Sequence, residues 1–500
     1  MVAQYRPHHK QGSKASLTSS EPGMSFSPGL TVYRRGRSPR FEVEFAFSGA
    51  PTGASMDGFL MNPTAIVVLV ALGLTLPSGA ARSQDTEPNS TPPPVVEPEG
   101  SLTLEDAFSL ALLHNPELAT FSWEVRASEA RAVQAGKALN PELELRLTRL
   151  SLNNDDPSDD EVGRRVMLRQ ELELGGERGR REELGRADTK LAQADYEAKR
   201  EEVASEVARR FAALLGAERR VAAVEKAVAF GEHAREQVAK LVETGAAAGL
   251  ENHRSRQQVA LLRLELERAS ADRDAARLAL SATWGSSTPR FREAVGDLER
   301  ITPLPELETV LNLAREGPAV SRSASDLERS RSALRLAKAG RVPDLTLGAG
   351  VRWEDDSSRG NDYLFEVEFE LPLFDRNQGS VQEGKHNVAK AESARQAAEI
   401  ETVETASELY HASRAAGARA TLLRDEVLPA TRDALETVRI GFEGNAETPD
   451  NLFDALRETT RAEIEYAEEL VEHQQLLALL EALLGQPLSP VPVAAPPVVH

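Results

Sequence analysis

The 500-residue chain contains no cysteine. Disulfide frameworks, thiolate metal centres and an N-terminal lipidated cysteine are therefore excluded. Aromatic residues are scarce at 5%, while charged residues make up 28%. That balance favours long exposed helices over compact globules. The apolar run at residues 65–76 is too short for a transmembrane helix, which needs roughly 20 residues. Phosphate-binding GxxxxGK[ST], nucleophile-elbow GxSxG and zinc-binding HExxH patterns are absent. Nine histidines are scattered without ligand spacing. His114, His233, His253, His386, His411 and His473 are expected to be solvated helix residues, not metal ligands. No catalytic, cofactor or metal constellation emerges, and no enzyme activity is expected. The net charge of −20 argues against a nucleic-acid partner. It suits cations, or simply a solvated acidic surface.

What is present falls into an address and a duplicated body. Residues 1–55 are basic and rich in Ser, Pro and Gly, and read as an unstructured leader or a mis-assigned start. Residues 56–81 read as a secretory signal: Met56 or Met61 precedes the apolar run, and small residues end it at Ala80 and Ala81. The basic residues of a signal lie upstream, at Arg34, Arg35, Arg37 and Arg40. Removal of residues 1–82 would take eight of the 59 Lys/Arg and four of the 79 Asp/Glu, leaving about −24. Residues 82–100 form a Pro-rich linker, and residues 487–500 a disordered tail.

The body has one order of elements, used twice. The first repeat, 101–290, opens with a helix capped by Thr103 that carries Ala107, Leu110, Ala111 and Leu113. A second helix follows Asn115-Pro116. Strands at 141–152 and 162–174 alternate Leu143, Leu145, Leu147 with Glu142, Glu144, Arg146, around an acidic loop. Gly175-Gly176 leads into a helical pattern of about 65 residues that turns at Gly245 and returns to Trp284. The second repeat, 303–486, has strands at 343–353 and 363–373. In the latter, Tyr363, Phe365, Val367, Phe369, Leu371 and Leu373 alternate with Glu366, Glu368 and Glu370, the signature of a strand with one apolar and one acidic face. A long helix follows, expected to kink at Pro429, turning at Gly441 and Gly444. Pro116 and Pro318 lie 202 residues apart, as do Pro141 and Pro343, so the chain is a duplication.

Four strands cannot close a barrel, and open edges in lipid leave unpaired backbone groups. Three copies would pool twelve strands, an even number in the outer-membrane range. Trp353, Tyr363 and Phe365 would lie in an aromatic girdle. A 65-residue helix spans about 100 Å, longer than any compact domain needs. A soluble β-sandwich remains the bland reading of the strands. A soluble periplasmic coiled-coil adaptor or structural protein remains that of the helices.

Three stretches bear a family resemblance: LTLEDAFSLALLHNPEL at 102–118, QELELGGERGR at 170–180 and ELPLFDRNQGSV at 370–381. Over about residues 101–486 the chain resembles the TolC-like outer-membrane efflux proteins, in particular their heavy-metal branch, the CzcC/CusC type. The resemblance implies a mixed α and β membrane protein. It would be a homotrimer with a twelve-stranded outer-membrane β-barrel, four strands per chain, continuous with a long periplasmic α-helical barrel of coiled-coil hairpins. It implies a passive exit duct for heavy-metal cations, joined by a periplasmic adaptor to an inner-membrane RND-type pump. Thr244, Gly245, Ile440 and Gly441 would be adaptor-docking tips. The family's acidic constriction has the form acidic-x-x-Asp-Ala, and Asp454 matches its second acid. Asn451 stands where the first would be, with Asp450 beside it. A ring of Asp454 side chains would concentrate cations. Alternatively, Asp450 caps a helix and Asp454 is a first-turn acid.

Overall fold

The computed structural model describes residues 40–46, 96–148, 163–245, 247–354 and 361–488. The signal-like segment at 56–81, most of the leader, the linker to residue 95, both hairpin loops and the tail from 489 lie outside the described residues. In chain order the elements are β1 (Arg40–Ala46), β2 (Ser101–Thr103), α1 (Leu104–His114), α2 (Pro116–Ala135), β3 (Glu142–Thr148), β4 (Gly163–Leu172), α3 (Glu177–Glu243) and α4 (Gly249–Ala282). Then come β5 (Glu293–Val295), α5 (Leu307–Ala314), α6 (Pro318–Ala339), β6 (Leu345–Glu354), β7 (Asp362–Glu370), α7 (Gln378–Leu422), a π-helical turn (Leu423–Val427), α8 (Leu428–Glu443) and α9 (Pro449–Leu484). The chain forms two compact units, a sheet unit and a helical unit.

The sheet unit is antiparallel in the order β1-β7-β6-β4-β3. Its two faces follow from alternation. Leu143, Leu145, Leu147 and Phe365 are 60%, 69%, 78% and 60% exposed. The other face is charged and partly enclosed: Glu366 is only 3% exposed. Its carboxylate meets Arg165 at 3.1 Å and Arg169 at 2.9 Å, and Arg169 also reaches Glu144 at 2.6 Å. The sheet therefore buries the charge cluster at its centre and exposes its aliphatics, the inverse of a water-soluble sheet and the arrangement of a lipid-facing wall. The leader, expected to lack structure, contributes β1 along the edge of β7. The reason is in its letters: FEVEF at 41–45 repeats FEVEF at 365–369. A seven-residue alternation is easily lost in a basic, Gly- and Pro-rich context.

In the helical unit, the duplication appears as backbone geometry. Six described residues have positive φ, in three matched pairs: Gly176 and Asn377, Gly245 and Asn445, Gly285 and Gly485. Gly176 and Asn377 start the long helices, Gly245 and Asn445 turn them back, and Gly285 and Gly485 end the returns. Glycine and asparagine are the residues that enter this region at least cost. Pro116 and Pro318 each stand at a helix start, where the missing N–H costs nothing. At the first helix, Thr103 and Asp106 form a reciprocal capping box. Ala107 and Ala111 are buried beneath it, but Leu113 is 77% exposed and lies off the buried face.

Helix α3 runs 67 residues, about 100 Å at 1.5 Å per residue. Its buried positions are mostly Ala, Gly and Val, which let neighbouring helices approach closely. The second long helix is not continuous. At Pro429 it takes up a π-turn, in which the Leu428 N–H bonds back to Leu423 O. This π-turn falls just before the position expected to kink, and it lets the helix accommodate a residue that lacks an N–H donor. His473 departs from expectation. It is 2% exposed, with Nδ1 donating to Ser413 O at 2.9 Å. Gly417 leaves room for the ring: a Cβ there would lie 3.3 Å from it.

Beside the return helices, β2 and β5 pair in parallel. Glu97, buried, accepts from Trp284 Nε1 at 2.7 Å and from the Arg290 N–H at 2.6 Å. These bonds fix the chain's entry onto a core containing Leu102, Phe211, Leu214 and Phe291.

Candidate functional site at the helical tips

Each long helix and its return make a hairpin, and the two tips lie side by side. Ala227, Ala234 and Val238 of α3, Val259 of α4, Phe442 of α8 and Leu452, Phe453 and Leu456 of α9 share one core, with Leu241 and Val242 against it. Gly231 permits that approach. A Cβ there would stand 2.9 Å from Leu262 Cδ1 and 3.5 Å from Phe453 Cε1.

The first tip is closed by Thr244 and Gly245. Thr244 Oγ1 donates to Lys240 O and Leu241 O, both at 3.1 Å. Gly245, at φ 72°, reverses the chain while its N–H bonds to Val242 O. At the second tip, Gly441 O accepts from the Ala446 and Glu447 N–H groups at 2.8 and 3.2 Å. A Cβ at Gly441 would meet Glu447 Cγ at 2.6 Å. Ile440 remains 57% exposed beside it. All four tip residues therefore sit at or beside the turns, two with solvent-facing side chains. Next to them, Arg439 bridges Glu436 and Glu443. Its hydrogen bond holds the Glu436 carboxyl below the ordinary range, and the same pairing pushes the Arg439 guanidinium up.

The two candidate acids are one turn apart on α9. Asp450 is not the cap of that helix. Thr448 is, its Oγ1 accepting from Asn451 N at 3.3 Å, with Pro449 next. Asp450 instead meets Arg254 of α4 at 2.9 Å, linking the return helices of the two repeats. Asp454 pairs with Arg457 at 3.0 Å, its side chain 62% exposed. Arg457 in turn donates to Gln258 Oε1 of α4 at 3.3 Å. Asn451, where a first acid was expected, donates to Glu447 Oε2 at 2.7 Å. A carboxylate is thus present at that level, on Glu447. Sequence reading missed Arg254 and Glu447, and nothing local marks either. Among the described residues, no group of three or more His, Asp or Glu is placed to hold a metal ion. No described helix is long and apolar enough to cross a membrane.

A sheet with a lipid-compatible face and two long helical hairpins in one chain fit a channel-forming class of membrane protein. The chain belongs to the outer membrane efflux protein family, whose model matches residues 107–286 and 310–486. It is 28% identical to the cobalt-zinc-cadmium resistance protein CzcC of Cupriavidus metallidurans over 422 residues, 83% of this chain and 98% of that protein. The nickel-cobalt-cadmium resistance protein NccC of Alcaligenes xylosoxydans xylosoxydans is 27% identical over 301 residues, 59% of this chain and 65% of its own length. Among solved structures, CusC superposes with a TM-score of 0.67 at 16% identity, covering 77% of this chain and 92% of that one. VceC from Vibrio cholerae gives 0.64 at 18% identity, covering 77% and 97%. These structural likenesses establish the fold. Family membership makes the chain a conduit of the outer membrane with a periplasmic extension, not an enzyme and not a soluble adaptor.

Proposed function

We propose that three copies of this chain assemble into the exit duct of a tripartite metal-efflux system. Strands β3, β4, β6 and β7 of each copy would give a twelve-stranded barrel, and the helical hairpins a periplasmic tube. The single observation that carries this is the exposed apolar face of a sheet too narrow to close on itself. Closure needs the edge of β7, which β1 occupies. Signal cleavage near Ala80 or Ala81 would remove β1 with the leader and release that edge.

The cargo follows from the relatives named for cobalt, zinc, cadmium and nickel resistance. The tips at Thr244, Gly245, Ile440 and Gly441 would dock a periplasmic adaptor, which joins an inner-membrane RND-type pump. Asp450 and Asp454 would line the periplasmic gate, where summed carboxylate charge concentrates cations. Three measurements test this. Native mass spectrometry should give three chains starting after residue 79. Deletion should sensitise cells to cobalt, zinc or cadmium. Asp454→Ala should weaken block of the reconstituted channel by multivalent cations. A monomer without conductance would end the duct reading; unchanged block would remove Asp454 from the gate.

A further inference from the structure

In the helical unit α2 packs on α3, α3 on α6 and α6 on α7. The layer therefore has two ends, α2 and α7. Its middle seam, α3 against α6, is held by charge. Asp195 meets Arg322, Asp188 meets Arg329 at 2.6 Å and Glu183 meets Arg335 at 2.9 Å. The duplication carries this seam over to the two ends. Pro116 and Pro318 match α2 to α6 at an offset of 202 residues, and Gly176 and Asn377 match α3 to α7 at 201. Under those offsets Arg322 and Arg329 become Thr120 and Ala127, while Asp195 and Asp188 become Gln396 and Ala389. An α2 end laid against an α7 end in the same way pairs Thr120 with Gln396 and Ala127 with Ala389. That register puts Trp123 opposite Ser393.

Both ends carry a stripe that fits this register. On α2, Thr120, Trp123, Ala127, Ala130 and Gln134 recur at steps of three and four, and all are exposed. On α7, Gln382, His386, Ala389, Ser393, Gln396 and Ile400 do the same, and all are exposed as well. Steps of three and four are those of a helix-to-helix seam. Neither stripe holds an Asp, Glu, Lys or Arg, although Glu124, Arg126, Glu129, Lys390, Glu392 and Arg395 lie beside them. Trp123 is 45% exposed and Ile400 60%. Arg126 stands 4.7 Å from the Trp123 ring centroid and covers one of its faces. An uncharged stripe with a half-exposed Trp has the composition of an interface core, not of a solvated surface. Opposite the indole the α7 residues are small, Ala389 and Ser393, so a large knob faces a shallow hole.

We propose that the α2 end of one copy docks on the α7 end of the next, with Trp123 seated over Ala389 and Ser393 as the anchor of the seam. The occupant is a second copy of this chain, because each end is the duplicate of one half of the α3–α6 seam: α2 of α6, and α7 of α3. A contact between two different ends is heterologous and closes into a ring by rotation. The seam within the chain is ionic and the seam between chains is uncharged. That difference sorts them, since the α2 stripe has no cation to satisfy Asp188 or Asp195 in place of α6. The inference rests on the assembly of three copies into the duct, and deepens it by naming the seam and its anchor.

The chain has no cysteine of its own, so introduced thiols report the seam directly. The full chain carrying Ala127→Cys and Ala389→Cys is oxidised in membranes and run on non-reducing gels. Packed helices lie about 8–10 Å apart, and two helices separate α2 from α7 within one chain. A disulfide spans at most about 7 Å between Cα atoms, so any bond must join two copies. Bands of two and three chains are expected. Ala127→Cys with Glu404→Cys, roughly 22 Å further along α7, should give none. Trp123→Ala should lower the ratio of trimer to monomer in native mass spectrometry at least tenfold, and Trp123→Phe should keep most of it. Ala127→Arg alone should break the trimer. Adding Ala389→Asp should restore it, by recreating the Arg329–Asp188 pair of the inner seam. Trimers that form no bond from Ala127→Cys to Ala389→Cys, or form it equally with Glu404→Cys, overturn this seam and leave the duct standing. A wild-type chain found only as a monomer sinks the duct reading, and the seam with it.

Discussion

Arg254 holds Asp450 at 2.9 Å, across 196 residues of sequence, and so fastens the return helix of one repeat to that of the other. Both side chains are 48% exposed, and an exposed pair of this kind is worth about 0.2–1 kcal/mol. If the tips part when the channel opens, Arg254→Ala should raise the open probability by up to about fivefold, since 1.4 kcal/mol is tenfold. Single-channel recording at low ionic strength reads this. The exchange Arg254→Asp with Asp450→Arg should restore the closed state. Higher salt should shrink the difference, because exposed charges are screened.

Glu366 is the centre of the sheet's charged face. Its removal leaves two guanidinium groups, on Arg165 and Arg169, without their shared carboxylate. Breaking a buried pair from one side costs about 3–5 kcal/mol. Glu366→Ala should therefore lower the midpoint of heat-modified gel mobility much more than Glu370→Ala, whose side chain is exposed.

Gly317 stands where the second repeat's helices cross. A Cβ there would lie 2.5 Å from Leu483 O and 3.2 Å from Ala314 O. Both obstacles are backbone and cannot rotate away. Gly317→Ala should cost about 1–3 kcal/mol by overpacking. Gly379→Ala is the control, with nothing within 4 Å of the added atom. Thermal unfolding in detergent should show a loss for the first and none for the second.

Glu201 on α3 has its carboxyl pushed up, first by burial, with Glu197 adding to it and Arg200 opposing. A raised native pKa means the fold disfavours the charged form. Its stabilising effect is full below the ordinary glutamate value of about 4.3 and is lost as pH rises through the native value. Glu201→Gln should therefore raise the thermal midpoint by a few degrees at pH 8. The gain should fade as pH approaches 4, which a pH series of melting curves would check.

How much of this was legible in the sequence depends on the range of the cause. The strand at 363–369 is plain because a two-sided sheet writes its period into consecutive letters. The duplication is plain because a proline at a helix start and a glycine at a turn are local requirements, as at Pro116, Pro318 and Gly245. At the second tip the turn was expected at Gly441 and Gly444, but the positive φ falls on Asn445. Arg254 and Glu447 were hidden, because the chemistry at Asp450 and Asn451 depends on helix packing. His473 was hidden for the same reason: its burial is set by Gly417 across the interface. The π-turn at Leu423 needed a hydrogen-bond pattern that Pro429 only hints at.

That turn changes what a one-residue deletion would do. Along α7 the stripe Ala406, Tyr410, Ser413, Gly417, Ala420 and Leu423 advances by threes and fours, and then steps by five to Leu428. Each residue adds about 100° of rotation in an α-helix, so the extra one re-phases all that follows, as a stutter does in a coiled coil. Beyond it, Leu435, Val438 and Phe442 face the shared tip core. Deleting one residue between 423 and 427 would leave an unbroken helix whose far end points Leu435 and Phe442 away from that core. The aim of the tip is thus held as a count of residues some distance up the helix, beyond the reach of any contact at the tip itself.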